Sequence, residues 1–408
     1  MRRLFDGRSQ FQFPPPMWKV RRELNRVGLQ IDDFALRIFG ISLTGLYLRI
    51  FINPKVKCAN GALTIDDRVA IYMIFPSDGL LVSHVIALDY IIQCGYVPVV
   101  VSNLPLDAKA QKVIQTKSAF LVMRPNFGYD FAAYRDALKA LGGVTDRLKY
   151  LAILNDSVWF PLHPQNNWFA EAEATGYDFV GSVFHCAMDP DFAWDFSKDA
   201  WHTDSDYPHF HYGSYSLLIS GDVVRSPQFV QFWRDYRATN DKTKTIIGGE
   251  IGLSRTVISA GFSHGATLDT SGLDTLLHAL PLDRLHELAE NMIVPMYPAL
   301  RQLRVAVLST SPINRLDLHD FILKCVVKQG PGYALADFDI RERSGVFLKK
   351  SPVALDQSSA DLTLHLLDQL PGPEAKVFSR EARQIYAKKH ITDSDTFELP
   401  APASNAMP

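Results

Sequence analysis

Short apolar runs alternate with amphipathic stretches from about residue 69 to residue 260. Runs typical of buried strands occupy 69–75, 97–101, 120–123, 150–154, 179–184 and 214–219. Apolar residues at helical spacing predict helices over 80–94, 130–141, 227–237 and 247–260. This alternation predicts an α/β fold with a largely parallel, Rossmann-type sheet and helices on both faces. Because such sheets bind ligands at the carboxyl ends of their strands, the loops at that edge hold the candidate site residues.

The composition along the chain predicts four parts. They are a basic helical arm (1–57), an α/β domain (58–300), a mainly helical appendage (301–388) and a disordered tail (389–408). Inside the α/β domain, residues 185–212 are polar and aromatic, lack periodicity and contain six aspartates. A stretch of this length predicts a loop that lies over the carboxyl edge of the sheet.

Net charge and cysteine content exclude several classes of function. The 408 residues carry a net charge of −2, which argues against a nucleic-acid-binding protein. The four cysteines form no CxxC pair, which argues against a disulfide scaffold or a cysteine zinc site and fits a reducing cytoplasm. The charge is uneven, however, because residues 1–57 alone have a net charge of +7. Such an arm predicts an anionic partner.

Two interpretations of the basic arm remain open. Its most apolar stretch, 34–52, contains two arginines and several small or polar residues, so we do not predict a membrane span. The stretch either packs as a helix on the main domain or lies on the anionic inner face of the cell membrane. In the second case the anchoring residues are Trp18, Lys19, Arg21, Arg22 and Arg26.

A candidate anion site lies between the third predicted strand and the second predicted helix. Gly128 permits a tight turn with positive φ, and the following helix offers free N–H groups that suit a phosphate. Arg124 would add a bidentate contact to a diphosphate, with Asn126 in the same loop. The alternative is that Asp130 is an ordinary N-cap and Arg124 a surface charge.

A polar triplet follows the strand at 150–154 and is the second candidate. Asn155, Asp156 and Ser157 lie at the ligand-binding edge. The Asp156 carboxylate can hold Mg²⁺ or Mn²⁺ together with diphosphate oxygens, or accept hydrogen bonds from ribose or sugar hydroxyls. The alternative is a polar turn in which Asp156 caps the backbone.

Glu250 opens the helix predicted at 247–260 and lies among three glycines. It is either a general base that deprotonates an acceptor hydroxyl or an acid favoured only by the helix dipole. His209 and His211 share a face of an extended segment, but no third metal ligand is assignable beside them. His211 therefore stays a candidate for substrate binding.

The order of these motifs resembles the rhamnan synthesis protein F family over roughly residues 66–345. The matching elements are the RxNxGxDxxAY run from Arg124 to Tyr134, Leu154-Asn155-Asp156-Ser157 with Pro161, Gly213-Ser214-Tyr215, Phe232-Trp233, and Glu250-Ile251-Gly252-Leu253-Ser254 with Gly261. The resemblance implies a sugar-transfer domain of the GT-A type that acts in rhamnose-containing polysaccharide or lipopolysaccharide assembly. Asp156 then lies where such enzymes carry Asp-x-Asp, although this chain has one acid there, and Glu250 lies about where inverting enzymes place their base.

The predicted activity is therefore transfer of a sugar from a nucleotide-diphospho-sugar to a glycan or lipid-linked glycan, with Mg²⁺ or Mn²⁺ as the implied cofactor. We predict Glu250 as the catalytic base and Asp156 as the metal ligand. The predicted substrate-binding residues are Arg124, Asn126, Gly128, Asp130, Asn155, Asp156, Ser157 and His211. The alternative is a non-catalytic glycan-binding or assembly protein on a degenerate transferase fold, which the missing second acid favours.

Overall fold

A mixed sheet of eight strands forms the centre of the computed structural model, which describes residues 43–185 and 188–394. The strands are β1 (Lys57–Asn60), β2 (Arg68–Ile74), β3 (Val97–Ser102), β4 (Phe120–Met123), β5 (Tyr150–Asn155), β6 (Val158–Trp159), β7 (Phe179–Gly181), β8 (Phe184–His185), β9 (His211–Tyr212), β10 (Ser216–Ser220), β11 (His264–Ala266) and β12 (Leu348–Lys349). The order in the large sheet is β1-β4-β3-β2-β5-β10-β7-β11, and β6–β12 and β8–β9 form separate pairs.

Most neighbours in the large sheet are parallel. Strands β4, β3, β2 and β5 run parallel, and β7 runs parallel to β11. Strand β10 lies antiparallel between β5 and β7, and β1 is antiparallel to β4 at the edge. The carboxyl ends of the parallel strands therefore meet the start of β10 at one edge of the sheet, where a ligand is expected.

Helices lie against both faces of this sheet. They are α1 (Leu43–Tyr47), α2 (Val82–Gln93), α3 (Ala108–Thr116), α4 (Tyr129–Leu141), α5 (Trp168–Ala174), α6 (Gly221–Arg225), α7 (Pro227–Asp235), α8 (Lys242–Thr245), α9 (Gly252–Ser259), α10 (Leu273–Ala279), α11 (Leu282–Asn291), α12 (Pro298–Ser309), α13 (Arg315–Gln329), α14 (Pro331–Ala334), α15 (Ala336–Glu342), α16 (Pro352–Leu355), α17 (Gln357–Gln369) and α18 (Pro373–Ser394). A π-helical turn (Ile246–Ile251) joins α8 to α9.

Alternate side chains of β2 enter two separate cores, as the period of a strand requires. Tyr72 and Ile74 pack in the cluster that contains Leu88 of α2, whereas Ile71 packs on the opposite face in the cluster that contains Phe131 of α4. The predicted α/β sheet with helices on both faces is thereby confirmed.

The predicted strand at 179–184 is wrong in one respect, because it is divided between two sheets. Strand β7 stays in the large sheet, while β8 leaves it and pairs with β9. Residues 188–210 form the expected long loop between β8 and β9, without helix or strand. The β8–β9 pair closes the base of this loop.

The C-terminal part contributes to the main core. Leu318 and Phe321 of α13 lie in the same apolar cluster as Tyr72. Glu381 of α18 is buried and accepts hydrogen bonds from the Ser83 amide and from Trp159 Nε1, both at 3.1 Å. The core thus contains residues from both sides of position 300, and the domain boundary predicted there stays a prediction.

Several predictions fall on residues 1–42 and 395–408, which lie outside the described part of the chain. They include the anchoring residues Trp18, Lys19, Arg21, Arg22 and Arg26 and most of the predicted tail. Helix α18 continues to Ser394, past the boundary predicted at 388. Within residues 43–185 and 188–394, no helix is both long and apolar enough to cross a lipid bilayer.

Candidate functional site

Two carboxylates meet at the carboxyl edge of the sheet, on either side of one hydroxyl. Ser214, which precedes β10, donates from Oγ to Glu250 Oε1 at 2.6 Å and lies 3.3 Å from Asp130 Oδ2. Asn155 at the end of β5 donates from Nδ2 to Tyr134 Oη at 2.9 Å and to Asp130 Oδ2 at 3.3 Å. The predicted residues Asp130, Asn155 and Glu250 are therefore neighbours in space.

The environment of this pair favours a shared proton. Burial, and after it the charge of Glu250, raise the pKa of Asp130 to about 6. Two carboxylates this close cannot both ionise at the pH where isolated ones do. Such a pair, at the ligand edge of an α/β sheet, is suited to acid–base chemistry near neutral pH.

Glu250 lies inside a helical segment, which corrects the prediction that it opens one. The segment begins at α8, where Asp241 accepts from the Lys244 amide at 2.9 Å, and Glu250 is in the π-helical turn that follows. The dipole of a helix start therefore does not explain this acid. Gly249 allows the turn to approach α4, because a Cβ there would lie 2.6 Å from the Phe131 ring.

His211 on β9 faces the other oxygen of Glu250. Its Nε2 is 3.6 Å from Glu250 Oε2, and its Nδ1 is 2.8 Å from the carbonyl oxygen of His209. Because a carbonyl only accepts, Nδ1 carries a hydrogen and Nε2 can exchange a proton with the carboxylate. His185 stacks on His211 with ring centroids 5.1 Å apart; burial, then the charges of His211 and Lys349, hold the pKa of His185 well below its ordinary value.

Lys349 is a site residue that the sequence analysis missed. The pairing of β12 with β6 brings it to this edge, with Nζ 3.7 Å from the centroid of the Tyr215 ring. Burial lowers the pKa of Lys349 to about 8, while the charges of Glu250 and Asp130 oppose that decrease. Lys349 thus places a positive charge facing both carboxylates.

Asp156 points away from that pair. Its Oδ2 accepts from the Phe75 amide at 2.6 Å and is 3.2 Å from His84 Nε2. Burial alone would raise the pKa of Asp156, but His84, the charge of Lys350 and the Phe75 amide outweigh burial and lower it. Asp156 is therefore held as an anion near the charge of Lys350, whereas Glu250 and Asp130 are near the charge of Lys349.

The surroundings of Asp156 do not fit the Mg²⁺ or Mn²⁺ site that was predicted. Hard divalent cations need several free oxygen ligands in near-octahedral geometry. Here one oxygen of Asp156 is engaged, and Asn155 Oδ1 accepts from both the amide and the hydroxyl of Ser157, at 3.1 and 2.6 Å. Lys350 adds a competing positive charge on this side. Asp156 is therefore not suited to hold a metal ion for the reaction.

The Arg124–Asp130 loop differs from its prediction. Arg124 is buried, and it donates to Asp136 Oδ2, Asn103 Oδ1 and the carbonyl oxygen of Phe127, each at 2.8 Å. Arg124 therefore shapes the loop and is not exposed to a diphosphate. The alternative prediction, that Arg124 is a surface charge, is wrong as well.

The N-cap of α4 is Gly128, with φ of 80°, and not Asp130. The Gly128 amide is already used, since it donates to Asn240 Oδ1 at 2.8 Å. Asn126 in this loop and Ser157 after β5 are exposed, so both remain accessible to a ligand.

A family model described as rhamnan synthesis protein F matches residues 98–309. The chain belongs to this family. The resemblance seen in the motifs is thereby confirmed. An uncharacterized protein of Sinorhizobium fredii, y4gN, is 28% identical over 245 residues, which are 60% of this chain and 59% of that relative.

Solved structures similar to this member of the rhamnan synthesis protein F family include two fungal proteins. One is core-mannan synthase A from Aspergillus fumigatus in its Mn/GDP form, with a TM-score of 0.29, 10% identity and coverage of 48% of this chain and 71% of that one. The other is the mannosyltransferase Ktr4p from S. cerevisiae in complex with GDP, with a TM-score of 0.27, 9% identity and coverage of 49% and 68%. Likeness at this distance assigns neither substrate nor cofactor.

The family match contains the carboxylate pair but not all of the site. Asp130, Ser214 and Glu250 lie within the matched residues 98–309, whereas Lys349 and Lys350 lie after them. In this member of the rhamnan synthesis protein F family, the positive charges of the site thus come from the C-terminal part of the chain.

Proposed function

We propose that the protein is an inverting glycosyltransferase of cell-surface polysaccharide or lipopolysaccharide synthesis, with a nucleotide-diphospho-sugar as donor. The observation that supports this most is the Asp130–Ser214–Glu250 cluster at the ligand edge of the sheet, with His211 and Lys349 facing it. Membership of the rhamnan synthesis protein F family supports the polysaccharide and makes rhamnose the first sugar to test.

Glu250 is the proposed base. Ser214 donates to one of its oxygens and His211 lies 3.6 Å from the other, so the carboxylate is oriented before substrate arrives. In the proposed step the acceptor oxygen forms a bond to the anomeric carbon while its proton passes to Glu250. The bond between that carbon and the diphosphate breaks on the opposite face, and the leaving group keeps the electron pair. Asp130 and Lys349 place one negative and one positive charge beside Glu250.

The donor is proposed to lie beside Asp156 and Lys350. Asp156 is anionic and accepts a hydrogen bond from a ribose or sugar hydroxyl, whereas Lys350 supplies positive charge to the leaving diphosphate. Asn126 and Ser157, which are exposed, contact the donor in the same proposal. Lys349 of β12 and Lys350 directly after it thereby serve the two halves of one site, acceptor and donor.

The acceptor is proposed to be a glycan or lipid-linked glycan at the inner face of the cell membrane. The net charge of +7 in residues 1–57 supports this placement. Exposed apolar side chains at the described end of the same region, Leu46, Ile50 and Phe51, support it as well.

The test separates binding from turnover. The full chain is titrated with UDP-, GDP- and dTDP-sugars by calorimetry, with and without Mn²⁺, and release of nucleoside diphosphate is then assayed. Glu250→Gln keeps the size of the side chain and removes its basicity, so kcat should fall by about 10²–10⁴ while donor Kd changes little. A loss of kcat under tenfold, or a loss confined to donor affinity, contradicts the base assignment. Glycan binding without turnover of any donor establishes the non-catalytic alternative instead.

A further inference from the structure

A second group of ligand-type side chains lies on two helices that share no residue with the carboxylate site. Asp274 and His278 are four residues apart on α10, and His319 is on α13. The Oδ1 of Asp274 is 3.6 Å from His278 Nε2 and 3.0 Å from His319 Nε2. One ligand atom from each residue lies within 4.8 Å of the others.

The His319 ring indicates a further ligand, because the described side chains around it leave its Nε2 without a well-aligned hydrogen bond. It is 3% exposed, and among the described residues its Nε2 forms no well-aligned hydrogen bond, although Asp274 is close. A buried polar nitrogen without a partner destabilises a fold, so a ligand at this position is favoured. Imidazole nitrogen is a common donor to divalent metals.

We propose that Asp274, His278 and His319 bind a borderline divalent cation of the Zn²⁺ type, with water as the remaining ligand. Zinc accepts imidazole nitrogen and carboxylate oxygen at about 2.0–2.2 Å, and tetrahedral angles then place ligand atoms roughly 3.3–3.6 Å apart. The observed separations of 3.0 and 3.6 Å lie close to this range. The His278 and His319 rings are stacked, with centroids 4.3 Å apart, so the exposed His278 ring must rotate for both lone pairs to meet one ion. Two nitrogen ligands favour zinc over Mg²⁺ or Mn²⁺.

The cation is proposed to stabilise the attachment of the 188–210 loop. Asp320, the residue after His319, accepts from the Phe196 amide of the loop at 2.8 Å. Thr270, shortly before α10, accepts through its carbonyl oxygen from Trp201 Nε1 of the loop at 2.9 Å. A cation that bridges α10 and α13 therefore joins the two elements that hold this loop.

The experiment uses tag-free full chain and Zn²⁺ alone. Calorimetry should give one zinc per chain for the wild type. Asp274→Asn and His278→Ala should each weaken binding at least tenfold, and excess Mg²⁺ should not compete. His278 is 53% exposed in its side chain, so its removal should leave the fold intact. The matched control is His286→Ala, because His286 pairs with Glu290 at 3.5 Å with the same spacing on α11 but belongs to no three-ligand group in the described residues.

A second readout tests the loop. Zinc should slow proteolytic cleavage within 188–210 at least threefold in the wild type and in His286→Ala, but not in His278→Ala. The site is overturned if the wild type binds no zinc, or if His278→Ala binds it as tightly as His286→Ala does. Stoichiometric zinc binding with unchanged cleavage overturns the role in holding the loop. None of these outcomes depends on transferase activity.

Discussion

The surroundings of Asp130 favour its protonated form more than water does. Burial and then the charge of Glu250 raise its pKa from 3.8 to about 6, although the donors Asn155 and Ser214, both 3.3 Å away, oppose this rise. An acid with a raised pKa in the folded state makes the fold less stable once the unfolded chain has lost that proton. At the scale of one residue, the candidate site therefore destabilises the protein at neutral pH.

This destabilisation can be measured with Asp130→Asn. Below about pH 3 the wild-type carboxyl is largely neutral in both states, so the unfolding free energy of the two proteins should differ by a fixed amount. Between about pH 3 and pH 6 the unfolded wild type releases a proton that the folded protein keeps, and wild-type stability should fall relative to the variant by about 1–3 kcal/mol. Urea unfolding of both proteins from about pH 3 to pH 8 is the measurement. Parallel curves would show that Asp130 titrates normally.

Lys349 should control the acidic limb of the pH–rate profile. Its charge faces Glu250 and Asp130, so removing it in Lys349→Met should raise the pKa of Asp130 further and keep a proton on the carboxylate pair to higher pH. The midpoint of the acidic limb of kcat should then move upward by about one pH unit, whereas Lys349→Arg should leave it close to the wild type. The control is Lys350→Met, which should change donor affinity and not this midpoint. An unshifted midpoint in Lys349→Met removes Lys349 from the base side of the site.

Single residues were predicted unevenly from the sequence, for a physical reason. The strand ends located Asn155, and separate motifs contained Asp130 and Glu250, but nothing in the sequence indicated that these two carboxylates meet. The sequence could not reveal that Arg124 is buried, because its partner Asp136 belongs to the next helix and Asn103 to another strand end. The sequence around a lone acid after a strand also does not reveal whether its oxygens are free or, as for one oxygen of Asp156, already accept a hydrogen bond.

At the scale of elements, the approach of the π-helical turn to α4 positions Glu250. Gly249 has no side chain, and a Cβ added there would lie 2.6–2.9 Å from three atoms of the Phe131 ring. Phe131 is fully buried in the core and cannot move aside freely. The turn therefore packs directly against a rigid ring. This contact fixes the position of Glu250, so that Ser214 can donate to its carboxylate.

Gly249→Ala and Gly248→Ala form a matched pair that tests this contact. Gly249→Ala should lower the free energy of unfolding by about 1–3 kcal/mol and reduce kcat, because the turn must shift away from Phe131. A Cβ at Gly248 meets no atom of the described residues within 4 Å, so Gly248→Ala should be neutral or add up to about 1 kcal/mol. Chemical unfolding and steady-state rates of both variants decide the matter. Equal stability of the two would mean that the turn is not held by Phe131.

Elements with strong local patterns were predicted well, and elements that depend on distant partners were not. Ser226 accepts from the Phe229 amide and starts α7 with Pro227 in its first turn, as the sequence indicates. Strand β12 has two residues and pairs with β6, which is far away in the sequence. The pattern of β12 itself therefore did not predict a strand. The π-helical turn was equally hidden, since the polar residues of α8 before it do not show helical periodicity.

At the scale of the whole molecule, the chain presents an apolar surface beside its basic region. Leu46, Ile50 and Phe51 have 48%, 52% and 53% of their surfaces exposed, and Arg49 and Lys55 lie among or after them. Tyr47 packs against Phe127 of the candidate donor loop with centroids 5.7 Å apart. A membrane that receives the apolar side chains would therefore lie next to the site, where a lipid-linked acceptor could reach Glu250.

A triple variant of the full chain should bind anionic vesicles at least tenfold more weakly than the wild type does. It combines Leu46→Ser, Ile50→Ser and Phe51→Ser, and each change removes apolar area that the interface would bury. The side chains are exposed, so folding should persist. The matched control is Val305→Ser, since Val305 is 67% exposed on α12, outside residues 1–57. Vesicle sedimentation with phosphatidylserine should show the loss, and raising the salt concentration should weaken the remaining binding, because the basic arm contributes through screened charge. Equal sedimentation of the triple variant and the Val305→Ser control would leave the exposed side chains without a role in membrane contact, and indifference to salt would exclude a contribution from the basic arm.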